Sequence, residues 1–212
     1  MSQTFRDTTF EITVLGDTMH PGFAVYTFDT EEKEFREKYW NIQEGDVVFD
    51  VGAAYGSYTL AALASGASKV YAFEPEPRIH PNLSANVELN GWSDRCVVLP
   101  VGLWNVEADI DIKSYAPHYA TQATAPTYEM KTLDSWIGLS KVDWLKVDVE
   151  GAEEAVVEGG MNFINKFLPN LIIECDDFID AGIIERISDK LNNYNFERVP
   201  RGECTFLVGK AK

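Results

Sequence analysis

Apolar residues fall along this chain in short continuous runs, separated by stretches where they recur at helical spacing. The runs at 46–51 (DVVFDV), 69–73 (KVYAF), 96–101 (CVVLPV), 143–149 (DWLKVDV) and 170–175 (NLIIEC) have the length and continuity of strands buried on both faces. A Gly-containing turn and a helix reaching about Ser65 follow the first run. Helices over 78–90, 151–158 and 179–192 follow the second, fourth and fifth. Strands alternating with helices predict right-handed crossovers and a mostly parallel sheet covered on both sides, an α/β fold. Two last strands near 194–199 and 204–208, joined by a tight turn at Pro200-Arg201-Gly202, read as antiparallel. Residues 108–113 (ADIDIK) alternate like an inserted half-buried strand. Residues 114–127 read as an irregular loop, and a short segment MKTLDSWI leads into the fourth run.

The first 45 residues have a different rhythm. Residues 8–15 and 22–28 alternate well enough to form a hairpin around His20-Pro21-Gly22. Residues 30–41 predict a helix, with Thr30 placed to cap it and acidic residues in its first turn. Phe35, Tyr39 and Trp40 share helical spacing and are expected to face inward. The expected organisation is therefore an N-terminal extension over 1–45, packed on one domain over 46–212.

A chain of 212 residues with 45% hydrophobic and 25% charged residues can bury a full core, which sets disorder aside. The net charge of −16 repels phosphate backbones and anionic lipid, and no run of Lys and Arg offsets it. Nucleic acid and membrane surfaces are accordingly not the expected partners. Cys96, Cys175 and Cys204 are odd in number and widely spaced, so they give neither a disulfide framework nor a zinc pattern. They read as buried free thiols of a reducing compartment. The polar N-terminal stretch MSQTFRDTTFEITV lacks an apolar signal core, and no run reaches transmembrane length. The expected location is cytoplasmic.

Candidate chemistry begins at Asp50-Val51-Gly52-Ala53-Ala54-Tyr55-Gly56, between a buried strand and a helix. Gly52 permits a tight turn and close approach of a ligand. Gly56 is expected to let helix and strand pack closely, and helix-terminal amides point at whatever sits there. The same residues also suit a plain strand–helix connection. Glu74 ends the next strand, at the distance where an acidic residue grips ribose hydroxyls. A carboxylate can accept both hydrogen bonds of a vicinal diol. Turn and acid together point to an adenosine-containing ligand and leave NAD open. Ala54 stands where the dinucleotide fingerprint has its middle glycine, and little chain remains for a separate substrate domain.

The run VVFDVGAAYGSYTLAAL, followed in order by VYAFEPEP, TLDSWI, VDWLKVDVEGAEEAVVEGG and LIIEC, resembles the FkbM family of methyltransferases over roughly residues 45–176. The blocks FEPEP and LKVDVEGAE carry most of the specificity. One departure is Ala54, where the family often has Asn. The resemblance implies a Rossmann-like class I methyltransferase fold with a seven-stranded sheet and a reversed final hairpin. It also implies S-adenosylmethionine as donor and a hydroxyl, on a small molecule or glycan, as acceptor. The implied donor residues are Asp50, Gly52, Ala53, Tyr55 and Gly56 of the turn, Glu74 for the ribose, and Gly102 and Leu103, placed at the end of the third strand, for adenine. Asp148 and Glu150 belong to the D-V-E-G block at the end of the fourth strand, at the edge where open α/β sheets bind ligands.

Methyl transfer to a hydroxyl requires near-linear alignment of oxygen, carbon and sulfur, and a base for the hydroxyl proton. Asp148 and Glu150 are candidates for the base, since adjacent carboxylates can push one pKa upward. They are equally candidates for holding a divalent cation that acidifies the hydroxyl. The structural alternative is that Asp148 orients the donor while Glu150 caps the following helix. Lys146 alternates with Asp148 and is expected to pair with a buried carboxylate. His118, between Tyr115 and Tyr119 in the irregular loop, is a further candidate base or acceptor contact, or else a surface histidine. His20 and His80 precede prolines and read as structural. Glu174, Asp176 and Asp177 end the fifth strand and are either part of an acceptor site or a solvated acidic loop. Two other functions remain open on the residues alone: an NAD-binding oxidoreductase, and a methyltransferase-like fold kept as a non-catalytic binding module.

Overall fold

A computed structural model of the chain describes residues 3–6, 10–14, 30–111 and 127–212. It contains two compact units, Met1–Pro100 and Val101–Lys212. Among the described residues no helix is long and apolar enough to cross a membrane.

In the first unit, β1 (Gln3–Arg6) pairs antiparallel with β2 (Glu11–Val14). The hairpin partner expected at 22–28 lies outside the described residues, and the strand at 11–14 pairs upstream instead. Helix α1 (Thr30–Tyr39) starts at Thr30 itself, so the capping position falls outside the described residues. Phe35 and Trp40 are buried as expected, while Tyr39 is half-buried. The Trp40 indole donates to the Tyr58 carbonyl at 3.2 Å. The strands β3 (Val47–Val51), β4 (Lys69–Phe73) and β5 (Cys96–Leu99) lie side by side in that order, all parallel. Helices α2 (Ser57–Ala64) and α3 (His80–Leu89) are the two crossovers. Phe49, Phe73, Leu60, Leu63 and Leu83 are fully buried, which explains why the runs carry no polar alternation. His80 opens α3 rather than a turn. Asn90 ties β2 to the end of α3: its side-chain oxygen accepts from the Glu11 amide at 2.9 Å, and its nitrogen donates to the Glu11 carbonyl at 2.7 Å.

The third strand stops at Leu99, two residues short of the expected end. Pro100 has no N–H with which to continue a ladder. Gly102 and Leu103 consequently do not end that strand. They form β6 (Gly102–Leu103), which opens the second unit. There β6 runs parallel to β8 (Thr127–Lys131), and β7 (Ala108–Asp111) runs antiparallel to it, in a small three-stranded sheet. Buried Tyr128 and Met130 hold this sheet together, with Trp104 and Ile110 packed against them.

The larger sheet of the second unit has the order β9 (Trp144–Val147), β10 (Asn170–Cys175), β12 (Cys204–Ala211), β11 (Tyr194–Arg201). The pair β9 and β10 is parallel, whereas β10–β12 and β12–β11 are antiparallel. The closing hairpin is longer than the sequence suggests, and Gly202, at φ 58°, begins its two-residue turn. The helix expected over 151–158 is α4 (Glu153–Glu158), and a further helix, α5 (Met161–Phe167), follows it where the sequence pattern gives none. Gly159 and Gly160 lie between them. A Cβ on Gly159 would fall 2.1 Å from the Trp104 carbonyl oxygen, and one on Gly160 2.5 Å from a Leu133 methyl. The TLDSWI block forms one turn of 3-10 helix, Leu133–Trp136, with a structural role. The Asp134 carboxylate accepts from the Phe163 amide at 2.8 Å and from the Asn162 side chain at 2.7 Å, at the start of α5. Helix α6 (Ile183–Lys190) buries Ile183, Ile184 and Ile187.

Candidate functional site

The first unit carries the glycine turn at the carboxyl end of β3 and Glu74 at the carboxyl end of β4. The Phe73 carbonyl accepts from the amides of both Gly52 and Ala53, each at 3.0 Å, which pulls the turn across the neighbouring strand. Gly52 has φ 77°, Ala54 φ 48° and Gly56 φ 100°. The left-handed conformation of Ala54 explains why Asn suits this position, since Asn tolerates it better than other side chains. Gly56 differs from expectation in its neighbour: an added Cβ would meet Leu83 of α3 at 2.8 Å, so it brings two helices together rather than helix and strand. Asp50 is fully buried, and its carboxylate accepts from the Thr59 hydroxyl at 2.6 Å.

Glu74 is 7% exposed, with its carboxylate held from both sides. One oxygen accepts from the Ala54 amide and the other from the Glu76 amide, each at 2.9 Å. A carboxylate accepts about four hydrogen bonds, and these two orient the group. The second acid of FEPEP behaves differently. Glu76 makes a forked pair with the Arg78 guanidinium at 2.7 and 3.1 Å, and is thereby neutralised. A residue the sequence does not single out also serves the turn: Asn86, fully buried on α3, donates to the Tyr55 carbonyl at 2.9 Å.

The second unit presents an acidic edge at the carboxyl ends of β9 and β10. Lys146 is 2% exposed and its ammonium lies 3.1 Å from Asp148, so it is paired as expected, though its partner is half-buried rather than buried. Glu174 hydrogen-bonds to Asp148. Burial, reinforced by the Asp148 charge, pushes the Glu174 carboxyl up to about 10. Glu150 sits exposed at φ 59° and is followed by Gly151 at φ 103°. The capping role considered for Glu150 is not found: α4 starts at Glu153 without a side-chain cap. The loop amides are instead taken by Glu153, one of whose oxygens accepts from Val149 at 3.2 Å and Gly151 at 2.9 Å. Glu153 is fully buried, which pushes its carboxyl up to about 8. The carboxyls that burial raises are thus Glu153 and Glu174.

Two cation questions have physical answers. Asp148 already faces a buried ammonium, which supplies the positive charge a divalent ion would bring. Glu174, Asp176 and Cys204 offer ligand atoms within 4.8 Å of one another. The Cys204 thiol is pushed upward by burial and donates to Asp176 at 3.3 Å. All three cysteines are free thiols, with Cys96 and Cys175 buried and Cys204 half-buried. Burial pushes Cys96 up to about 12. Gly102 and Leu103 are buried in the small sheet. His20, Tyr115, His118 and Tyr119 lie outside the described residues. A cavity of about 310 Å³ in the first unit, bordered by Lys33, Arg36, Trp40 and Ser65, includes neither the turn nor Glu74.

A Gly-containing turn after one parallel strand, with a buried acid after the next, places the chain in the Rossmann-like class of methyltransferase folds. The family profile described as methyltransferase FkbM domain matches residues 50–198, and the chain belongs to that family. Among solved structures, methyltransferase FkbM from Methylobacillus flagellatus is similar at 17% identity and a TM-score of 0.61, covering 82% of this chain. This chain spans 46% of that one, about half its length. Precorrin-6y C5,15-methyltransferase from Geobacter metallireducens is similar at 14% identity and a TM-score of 0.57, covering 87% of this chain and 89% of that one. Trm5 from Methanocaldococcus jannaschii, solved in complex with adenosine, is similar at 14% identity and a TM-score of 0.58, covering 99% of this chain and 55% of that one. No curated protein matches the chain by sequence.

Proposed function

We propose that this methyltransferase uses S-adenosylmethionine and methylates a hydroxyl on a small molecule or glycan. The observation that carries the donor reading is Glu74, a buried carboxylate fixed by two backbone amides beside the Gly52–Gly56 turn. A vicinal diol such as that of ribose satisfies an acceptor of this kind. Family membership and the adenosine bound by the Trm5 neighbour support the same donor. When bound, S-adenosylmethionine supplies a methyl group activated on a sulfonium. The turn and Glu74 hold and orient the nucleoside, which is the positioning part of catalysis.

On the acceptor side, Asp148 takes the hydroxyl proton onto its carboxylate, while the acceptor oxygen would take the methyl group and the donor would leave as its neutral thioether. Lys146 neutralises that carboxylate and fixes its direction. Glu174, protonated at neutral pH, donates to it and keeps it aligned. Glu150 projects exposed from the same loop and serves acceptor contact.

Calorimetry with S-adenosylhomocysteine and with NAD tests the donor. Binding of the first alone is expected; binding of NAD alone would overturn the reading and favour an oxidoreductase. Labelled donor with a panel of hydroxyl acceptors tests transfer, and donor binding without transfer to any class of acceptor would favour a binding module. Asp148→Asn is expected to lower the transfer rate about 100-fold or more and leave donor affinity within about threefold. EDTA is expected to leave the wild-type rate unchanged. Loss of activity in EDTA with recovery in magnesium would replace the base by a metal.

A further inference from the structure

We propose that Glu153 is the positioning residue of the acidic loop: its carboxyl clamps the Val149 and Gly151 amides and thereby holds Asp148 and Glu150 in their working directions. This rests on the reading that Asp148 and Glu150 carry the acceptor chemistry.

The loop between β9 and α4 has two successive left-handed residues, Glu150 at φ 59° and Gly151 at φ 103°. A glycine adopts that conformation freely, but a glutamate does so only when its surroundings impose it. Something must therefore hold the chain on either side of Glu150. The amides of Val149 and Gly151 flank it, and both are bound by the same Glu153 oxygen, at 3.2 and 2.9 Å. One side chain thus bridges the strained residue. Its own position is fixed, because Glu153 is fully buried at the start of α4.

An acid in the first turn of a helix ordinarily faces water and the helix dipole. Glu153 is turned away from water, and its carboxyl also takes its own backbone amide at the start of α4. Its second oxygen is buried with no hydrogen-bond partner among the described residues. The charged groups around it are acidic: Asp176 adds to the effect of burial, and the Cys175 thiol is pushed up partly by Glu153 itself. Burial pushes the Glu153 carboxyl up to about 8, so at neutral pH it carries a proton. A neutral carboxyl still accepts through its carbonyl oxygen, which is what the two amides require. Glutamine reproduces that shape, acceptor and charge, whereas alanine removes the acceptor.

The test compares Glu153→Gln with Glu153→Ala in the full chain. Amide hydrogen exchange resolved by NMR reads the clamp directly. In Glu153→Ala, exchange at Val149 and Gly151 should rise at least tenfold relative to core amides of β10. In Glu153→Gln it should stay within about threefold of wild type. Transfer kinetics read the consequence: alanine should lower kcat at least tenfold with little change in donor KM, and glutamine should restore it. Unchanged exchange in the alanine variant would overturn the proposal, as would a glutamine variant as impaired as alanine. If wild-type protein binds no S-adenosylhomocysteine and transfers no methyl group, the reading beneath the proposal fails, and the exchange data still decide the clamp. If alanine fails to fold, glutamine exchange against wild type decides: protection retained supports the clamp, and protection lost overturns it.

Discussion

Replacing Glu74 by alanine separates what this side chain does for the fold from what it does for a ligand. The carboxylate accepts from the Ala54 and Glu76 amides at 2.9 Å each, in a site only 7% exposed. Hydrogen bonds to a charged acceptor contribute about 1.5–3 kcal/mol each, and water entering the vacated space recovers part of that. The net loss of stability should be about 2–3 kcal/mol. For a chain of this size that lowers Tm by about 4–12 °C. Losing the ribose contacts should cost a further 2–3 kcal/mol, roughly, in binding, or about 30- to 150-fold in Kd for S-adenosylhomocysteine. Differential scanning calorimetry of the free protein gives the first quantity and titration calorimetry the second. Glu76→Gln is the control. Its partner Arg78 is half exposed, so breaking that pair should cost about 1 kcal/mol or less and leave donor affinity unchanged. The reasoning is refuted if Glu74→Ala binds S-adenosylhomocysteine with wild-type affinity, or if its Tm falls no further than that of Glu76→Gln.

Three other outcomes follow from the same geometry. Ala54, at φ 48°, should gain about 0.5–1 kcal/mol on replacement by Asn or Gly, read as a higher urea midpoint; a lower midpoint for both would contradict the strain argument. Gly159→Ala would drive a Cβ to 2.1 Å from the Trp104 carbonyl, a backbone atom that cannot step aside. It should cost about 3 kcal/mol or more, and a Tm within 2 °C of wild type (roughly the noise of a 1 kcal/mol effect) would show that the backbone relaxes. For pH, Glu153 has an ordinary value of 4.5 and is raised to about 8 in the fold. The folded state then holds more protons across that window, so the contribution is full below about 4.5 and is lost as pH rises through about 8. Urea unfolding of Glu153→Gln from pH 5 to pH 8 should show a shallower fall than wild type, without becoming flat, because Glu174 is raised in the same direction. Identical slopes would show that Glu153 ionises normally.

Sequence pattern located strands best where both faces are buried. KVYAF and NLIIEC occupy the strands expected of them, residue for residue. It missed elements with few buried positions or shorter than two turns. The strand TYEMK buries only Tyr128 and Met130, too few positions to outweigh its polar residues. The run CVVLPV looks continuous because proline counts as apolar while silently removing a donor, and this displaced Gly102 and Leu103 from their expected strand. Helix α5 was not legible, and the Gly159-Gly160 pair before it packs against Trp104 and Leu133, far away in sequence. In the candidate site, the glycine turn and the acid ending the next strand were legible from spacing, and so was an ion pair for Lys146. Asn86 and Glu153 were not, because their importance comes from complete burial at helix positions where such residues normally meet solvent. FEPEP shows the same limit: two glutamates two residues apart look alike until Arg78 claims one of them.

The outer strand β11 illustrates how a sheet margin can discourage further strands. Among the described residues it is the margin of its sheet, and such margins can template the addition of further chains. Its sequence YNFERVPR works against that growth. Glu197 and Arg198 are exposed, and Arg198 is drawn aside to Glu185 on α6 at 2.9 Å. Pro200 contributes no donor to an incoming chain. A neighbour aligning along β11 would meet charge in the middle and a missing hydrogen bond near the end. The margin thus works against strand addition by another chain.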